Sequence, residues 1–144
     1  MKGFFDAKGF YINPVKIKKP RKHLEDDLQM SCFKWFCLQY PKLAKYLIHI
    51  PNGGKRNKLE AIRFKKMGVQ SGPGDFVFFK PNKYYFILMV EMKAGKGKQS
   101  EAQKEYQQMI TDSGGLYIVC DNILLFMETL NEYIKTIKKL KDEY

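Results

Sequence analysis

The sequence predicts one α/β domain with a mixed central sheet flanked by helices, in the element order αβαββαβα. Three observations carry this expectation. Segments with helical spacing alternate with short apolar runs bounded by Gly, Pro and Asn. Two of those runs, residues 75–79 and 84–92, are apolar on both faces and close in sequence, as expected of a hairpin at the centre of a sheet covered on each side. The length of 144 residues, 44% of them hydrophobic and 15% aromatic, supplies one core but no second domain of ordinary size.

Each element has its own signal. Residues 1–23 carry seven Lys and Arg against Asp6 alone, without sustained periodicity, and read as a loosely ordered basic arm preceding the domain at 24–144. Leu24, Leu28, Cys32 and Phe36, joined by Phe33 and Trp35, follow helical spacing over residues 24–39, and Pro41 lies just beyond. Residues 46–50 are apolar and bounded by Pro51-Asn52-Gly53-Gly54, a strand and a turn. A second helix over 58–67 is stopped by Gly68. After the loop 71–74 the two hairpin strands are joined across Pro81-Asn82-Lys83, and a Gly/Lys loop follows them. Ser100 and Gln103 have capping-box spacing and open a helix that ends at Gly114-Gly115. Residues 116–120 form the next strand. Asp121 or Asn122 caps a final helix with the stripe Phe126, Leu130, Tyr133, Ile134 and Ile137. There is no internal repeat.

Lys and Arg number 26 against 15 Asp and Glu, a net charge of +11 that favours a polyanionic partner, either nucleic acid or an anionic membrane surface. No apolar run approaches the roughly 20 residues that span a bilayer. The start MKGFFDAKGF lacks the apolar stretch of a signal peptide, so a cytoplasmic protein is expected. Cys32, Cys37 and Cys120 form no CxxC pair, and with only His23 and His49 besides, the spacing of a zinc site is absent; reduced, mostly buried thiols are expected.

The chemistry concentrates around the hairpin. A connection centred on Lys83 places Asp75 directly opposite Glu91, with Cβ atoms about 4.5–5.5 Å apart and on one face. Lys93, two residues beyond Glu91, shares that face. Two crowded carboxylates repel and raise one pKa, so the pair is best accommodated with a cation between them, and hard oxygen ligands suit Mg²⁺, with Mn²⁺ able to substitute. Glu91 follows the apolar run 85–90, where an acid without a partner carries a desolvation cost of several kcal/mol. Phe76, Phe78 and Phe79 are expected in the sheet core rather than as a platform for bases.

Several segments in order, 25–29 on the first helix, 50–56, 68–75, Val90-Glu91-Met92-Lys93, 97–103 and the strand 116–120, resemble the VRR-NUC family of virus-type replication and repair nucleases, in the PD-(D/E)xK superfamily. The resemblance covers about two-thirds of the chain. It implies a restriction-endonuclease-like core and a Mg²⁺-dependent endonuclease that hydrolyses phosphodiester bonds in DNA without a nucleotide cofactor. It further implies Asp75, Glu91 and the main-chain carbonyl of Met92 as metal ligands, Glu25 as a candidate to complete the set, and Lys93 positioning the attacking water. Glu25 is otherwise an ordinary acid at a helix N-terminus. Gln103 matches a glutamine that projects towards the active site, and a local bond back to the Ser100 amide is the competing role. One departure is visible: Gly74, not proline, precedes Asp75.

Gly53-Gly54-Lys55-Arg56 lacks the distal glycine and Lys-Ser/Thr pair of a nucleotide-binding loop. It reads either as a plain turn or, with Asn52, as a phosphate-holding turn at a helix N-terminus. Together with Lys58, Arg63, Lys65 and Lys66 it is expected to make a track for the DNA backbone, and Lys96 and Lys98 are further candidates for DNA binding. Within the family, a short chain resembles the stand-alone phage or bacterial type, acting on branched DNA in a bacterial or phage-infected cell, as a homodimer. A non-specific, nicking or flap nuclease is the alternative, and a non-catalytic DNA-binding module keeping the fold is the alternative of another class. Met30, Phe33, Trp35, Cys37 and Tyr40 on the first helix are the candidate dimer surface, unless the arm or the last helix covers them within a monomer.

Overall fold

A computed structural model describes residues 24–51 and 57–137, and the backbone of two short strands, β1 (Phe4–Phe5) and β2 (Tyr11–Ile12). β1 and β2 pair antiparallel, so the basic arm contains a small ladder that its lack of periodicity did not announce. The remaining elements are α1 (Leu24–Gln39), β3 (Leu47–His49), α2 (Lys58–Lys66), β4 (Phe76–Phe78), β5 (Leu88–Met92), α3 (Glu101–Asp112), β6 (Leu116–Cys120) and α4 (Ile123–Lys135). This is the expected order and an α/β fold.

The sheet runs β3-β4-β5-β6, antiparallel except for the parallel pair β5-β6. Alternation along the strands sorts their side chains into two layers. Phe76, Phe78, Leu88, Val90, Met92 and Cys120 face α1 and α4, where they meet Cys32, Phe36, Phe126, Leu130 and Tyr133. Val77, Met89 and Tyr117 face the other way, against Ile110 and Tyr106 of α3. Glu91, between Val90 and Met92, therefore lies on the α3 layer.

The two central strands are fully buried, as their two-sided apolar character requires, and their register pairs Phe76 with Val90 and Phe78 with Leu88. Both are shorter than expected. The cause is Asn82, which is buried: its Oδ1 accepts from the Tyr84 and Tyr85 amides at 2.9 and 2.7 Å, and its Nδ2 donates to the Tyr133 carbonyl at 3.2 Å. The side chain takes backbone donors that would otherwise extend the ladder and ties the connection to α4. The expected strand at 46–50 likewise begins as a 3-10 turn, Ala44–Tyr46, and becomes β3 only at Leu47.

α2 buries none of its residues; Asn57 caps it, and Gly68 follows with φ +92°. Lys58, Arg63, Lys65 and Lys66 thus stand on an exposed helix. On α1 the expected surplus of apolar surface is smaller than the sequence suggests. Trp35 packs edge-on against Phe126 of α4, and the Tyr40 hydroxyl donates to Asn131. Cys37 is half-buried, and Met30, Phe33 and Leu38 stay exposed. All three cysteines are free; Cys32 and Cys120 lie in the core, where burial pushes the Cys32 thiol up to about 12. Among the described residues no helix is long and apolar enough to cross a membrane.

Candidate active site

At the end of the sheet where β4 begins and β5 ends, the register of the central pair continues to Asp75 opposite Glu91. Asp75 Oδ2 accepts from the Met92 amide at 2.7 Å, which fixes the carboxylate against β5 and leaves Oδ1 without a hydrogen bond from any described residue. Glu91 is almost fully buried. Its Oε1 accepts from Lys93 Nζ at 2.8 Å and from Gln103 Nε2, and its Oε2 accepts from the Tyr117 hydroxyl at 3.2 Å. Three of its four lone pairs are thereby engaged, and the remaining one is on Oε2.

The electrostatics follow from burial. Desolvation pushes the Asp75 carboxyl above the usual range, opposed by the Met92 amide, Lys93 and His49, while Glu25 adds to the rise. Desolvation raises Glu91 as well; Lys93 opposes it, and the charge of Asp75 reinforces it. Burial works to lower Lys93, but its hydrogen bond and charge attraction to Glu91, together with Glu25 and Asp75, outweigh that effect and the ammonium titrates above its ordinary value. Tyr117 is driven up by burial and then by Glu91, so its hydroxyl stays a donor.

Gln103 fills both of the roles between which its sequence position leaves a choice. Its Oε1 accepts from the Ser100 amide at 2.8 Å and closes the capping box, while its Nε2 donates to Glu91. The two ends of one amide allow this because α3 packs over the layer that holds Glu91. Glu25 is also at the site: from α1 it crosses the end of the sheet, and its Oε1 accepts from the Ala94 amide at 3.3 Å, one residue beyond Lys93. Lys96 and Lys98 are exposed on the following loop, and Lys58 at the start of α2. Asn52, Gly53, Gly54, Lys55 and Arg56 lie outside the described residues.

Gly74 explains the departure from proline. A Cβ there would lie 2.8 Å from the Val90 carbonyl oxygen and 2.8 Å from Met89 Cγ, so the chain enters β4 too close to β5 for any side chain, a proline ring included. Gly74→Ala is expected to cost about 1–3 kcal/mol of overpacking strain and to displace Asp75 with it. A lowered urea midpoint together with weakened cleavage would show both effects.

Two residues at the site escaped the sequence reading. Tyr117 reaches Glu91 because β6 runs parallel to β5 with Val119 beside Glu91, which puts Tyr117 two residues along on the same face. His49, at the end of β3, places Nδ1 2.8 Å from the Asp75 main-chain oxygen. Strand order was the missing signal for both.

The donor set fits a hard divalent cation. Asp75 Oδ1 and Glu91 Oε2 retain accepting capacity, and the Met92 carbonyl points to the same side of β5 as its amide, which is the side of Asp75. Among the described residues no three His, Cys, Asp or Glu side chains gather as a ligand cluster, so a cation here would need the Met92 main-chain oxygen or water beside the two acids. An open groove of about 620 Å³, lined in part by Glu25, Gln29, His49, Pro51 and Asp75, leads to it from solvent.

The VRR-NUC domain model matches residues 23–122, which takes in α1, the central strands, α3 and β6. The chain belongs to the VRR-NUC family. A solved structure described as a VRR_NUC domain protein is similar at 30% identity, with a TM-score of 0.68 over 78% of this chain and 88% of its own. None of the curated proteins matches. Membership of the family gives the domain a nuclease-type fold.

Proposed function

We propose that the chain is a divalent-metal-dependent DNA endonuclease, acting on branched DNA as a homodimer. The observation that carries the reading is the trio Asp75, Glu91 and Lys93 at one sheet end, two raised carboxyls facing each other with a paired ammonium beside them. A module that only binds DNA has no use for buried, mutually repelling acids. When bound, Mg²⁺ or Mn²⁺ supplies Lewis-acid polarisation of the phosphoryl oxygen and a water of lowered pKa. Asp75, Glu91 and the Met92 carbonyl would hold it, and Glu25, whose Oε1 accepts from the Ala94 amide at 3.3 Å, lines the groove that leads there. Lys93 stands where it can orient the attacking water and offset developing phosphate charge, and Gln103 and Tyr117 keep Glu91 in one rotamer.

Binding comes from basic residues: the segment 52–56 by its sequence, Lys58 and the rest of exposed α2, and Lys96 and Lys98. The net charge of +11 supports DNA as the partner. The arm adds to it. Deletion of residues 1–23 is expected to weaken DNA binding and flatten its salt dependence, because it removes a net six positive charges that release counterions. Anisotropy titrations across a salt series measure this, and an unchanged slope would show that the arm does not touch DNA.

Incubation with Mg²⁺ and a panel of linear, flap, fork and four-way DNAs tests the whole reading. Preferential paired nicking of four-way DNA supports it. Equal cutting of every substrate leaves a general nuclease, and no cutting of any removes the enzyme. A two-fold dimer supplies two sites for two incisions, and Met30, Phe33 and Leu38 of α1 are exposed apolar surface available to it. Light scattering at micromolar concentration is expected to give twice the chain mass; a value near 16.9 kDa overturns the dimer.

A further inference from the structure

His49 is the residue of the site with no assigned role. It ends the edge strand β3 opposite Phe76, whose ring it meets edge-on at 6.1 Å between centroids and 71° between planes. Its Nδ1 lies 2.8 Å from the main-chain oxygen of Asp75, and the same oxygen accepts from the Ile50 amide at 2.8 Å. A carbonyl oxygen only accepts, so the proton between it and the ring belongs to Nδ1, whatever the charge of the imidazole. The Gln29 amide, 2.7 Å from Nδ1, shares this N–H once its oxygen is turned towards the ring, a half-turn that interchanges its two ends. Gln29 sits one helical turn after Glu25 on α1, so α1, β3 and the start of β4 are joined through the imidazole.

We infer that His49 is a positioning residue for Asp75, holding through Nδ1–H the peptide that carries the cation-binding carboxylate. The inference rests on the nuclease reading above and goes beyond its ligand set. The need for such an anchor is local. Asp75 follows Gly74, whose φ is free where a proline would fix it, and the close approach to Val90 forbids any residue that would stiffen the turn. Among the described residues the carboxylate itself is tied by a hydrogen bond only at Oδ2, to Met92. With its main-chain oxygen clamped by Ile50 and His49 together, Asp75 presents Oδ1 to the groove in one orientation.

The test compares His49→Phe, His49→Asn and His49→Gln in the full chain, by calorimetric titration with Mn²⁺ and by kcat and KM for DNA cleavage. The amide nitrogen of Asn takes the place of Nδ1, and that of Gln takes the place of Nε2. The phenylalanine and glutamine variants are expected to bind Mn²⁺ about 10-fold more weakly or worse, the usual cost of losing an outer-shell partner. Their kcat should fall in step and their KM for DNA should not move. The asparagine variant is expected to recover most of both. Rescue by Gln instead of Asn would show that Nε2 acts, and overturn the inference. So would wild-type Mn²⁺ affinity in all three variants, or equal impairment of all three. If the phenylalanine variant fails to fold, the contrast between Asn and Gln decides. A wild-type protein that neither binds Mn²⁺ nor cuts DNA is a separate failure, that of the nuclease reading itself.

Discussion

Asp75→Asn is expected to lower the single-turnover cleavage rate by about 10³-fold, a loss on the scale of removing a preorganised electrostatic group, with little change in DNA affinity. The substitution keeps the shape of the side chain and the acceptor for the Met92 amide, which bonds to one carboxylate oxygen only. What changes is the other end: Oδ1 becomes the NH₂ of a carboxamide, a donor with two protons, and the side chain loses its charge. A cation between residues 75 and 91 then meets one carboxylate instead of two. On the proposed reading DNA affinity comes from lysines and arginines elsewhere in the chain, so removing a negative charge from the groove should leave it unchanged or slightly better. Rapid-quench cleavage in Mg²⁺ and anisotropy in EDTA separate the two. Full cleavage by the variant, or undiminished wild-type cleavage in excess EDTA, would remove the metal-dependent assignment.

Much of this site was legible because the determinants are local or periodic. The opposition of Asp75 and Glu91 follows from strand pairing alone, and the register of β4 and β5 bears it out even though the strands are shorter than their apolar runs. The bounds of α1 and β6 match the sequence pattern, since Pro41 and the Gly114-Gly115 pair punctuate them. What was not legible depends on contacts between distant segments. Asn82 reads as an ordinary turn residue, and only its bond to Tyr133 of α4 shows why the hairpin connection opens out. Gln103 was ambiguous because both readings of it are satisfied at once. His49 and Tyr117 sit on the two strands flanking the central pair, so nothing short of the order β3-β4-β5-β6 brings them to the acids. Trp35 reads as surplus on α1 until α4 is laid across it. Local rules placed the two acids; tertiary packing placed the groups that hold them.

Lys93→Met is expected to separate the lysine's chemical role from its structural one. Methionine keeps most of the apolar stem and removes the ammonium that pairs with Glu91 at 2.8 Å, in a contact where the side chains are 15% and 3% exposed. Turnover should fall by about 10²-fold with KM for DNA nearly unchanged, because a group that offsets charge on the scissile phosphate contributes in the transition state. Stability of the metal-free protein should fall too, by about 3 kcal/mol at neutral pH, since Glu91 is left buried without its counter-charge. The sign of the pH dependence follows from burial. Desolvation already places the Glu91 carboxyl above its ordinary value of 4.5, and Lys93 works against that rise. Without the lysine the folded-state value climbs further, so the folded variant binds a proton more tightly than the unfolded chain. Its deficit is therefore full above the raised folded value, shrinks as pH falls through it, and is gone below the ordinary carboxyl value. Urea midpoints of variant and wild type should converge on acidification, and added Mg²⁺ at neutral pH should restore part of the difference. Midpoints that stay together at every pH, with kcat and DNA affinity reduced alike, would make Lys93 a binding residue with no part in the chemistry.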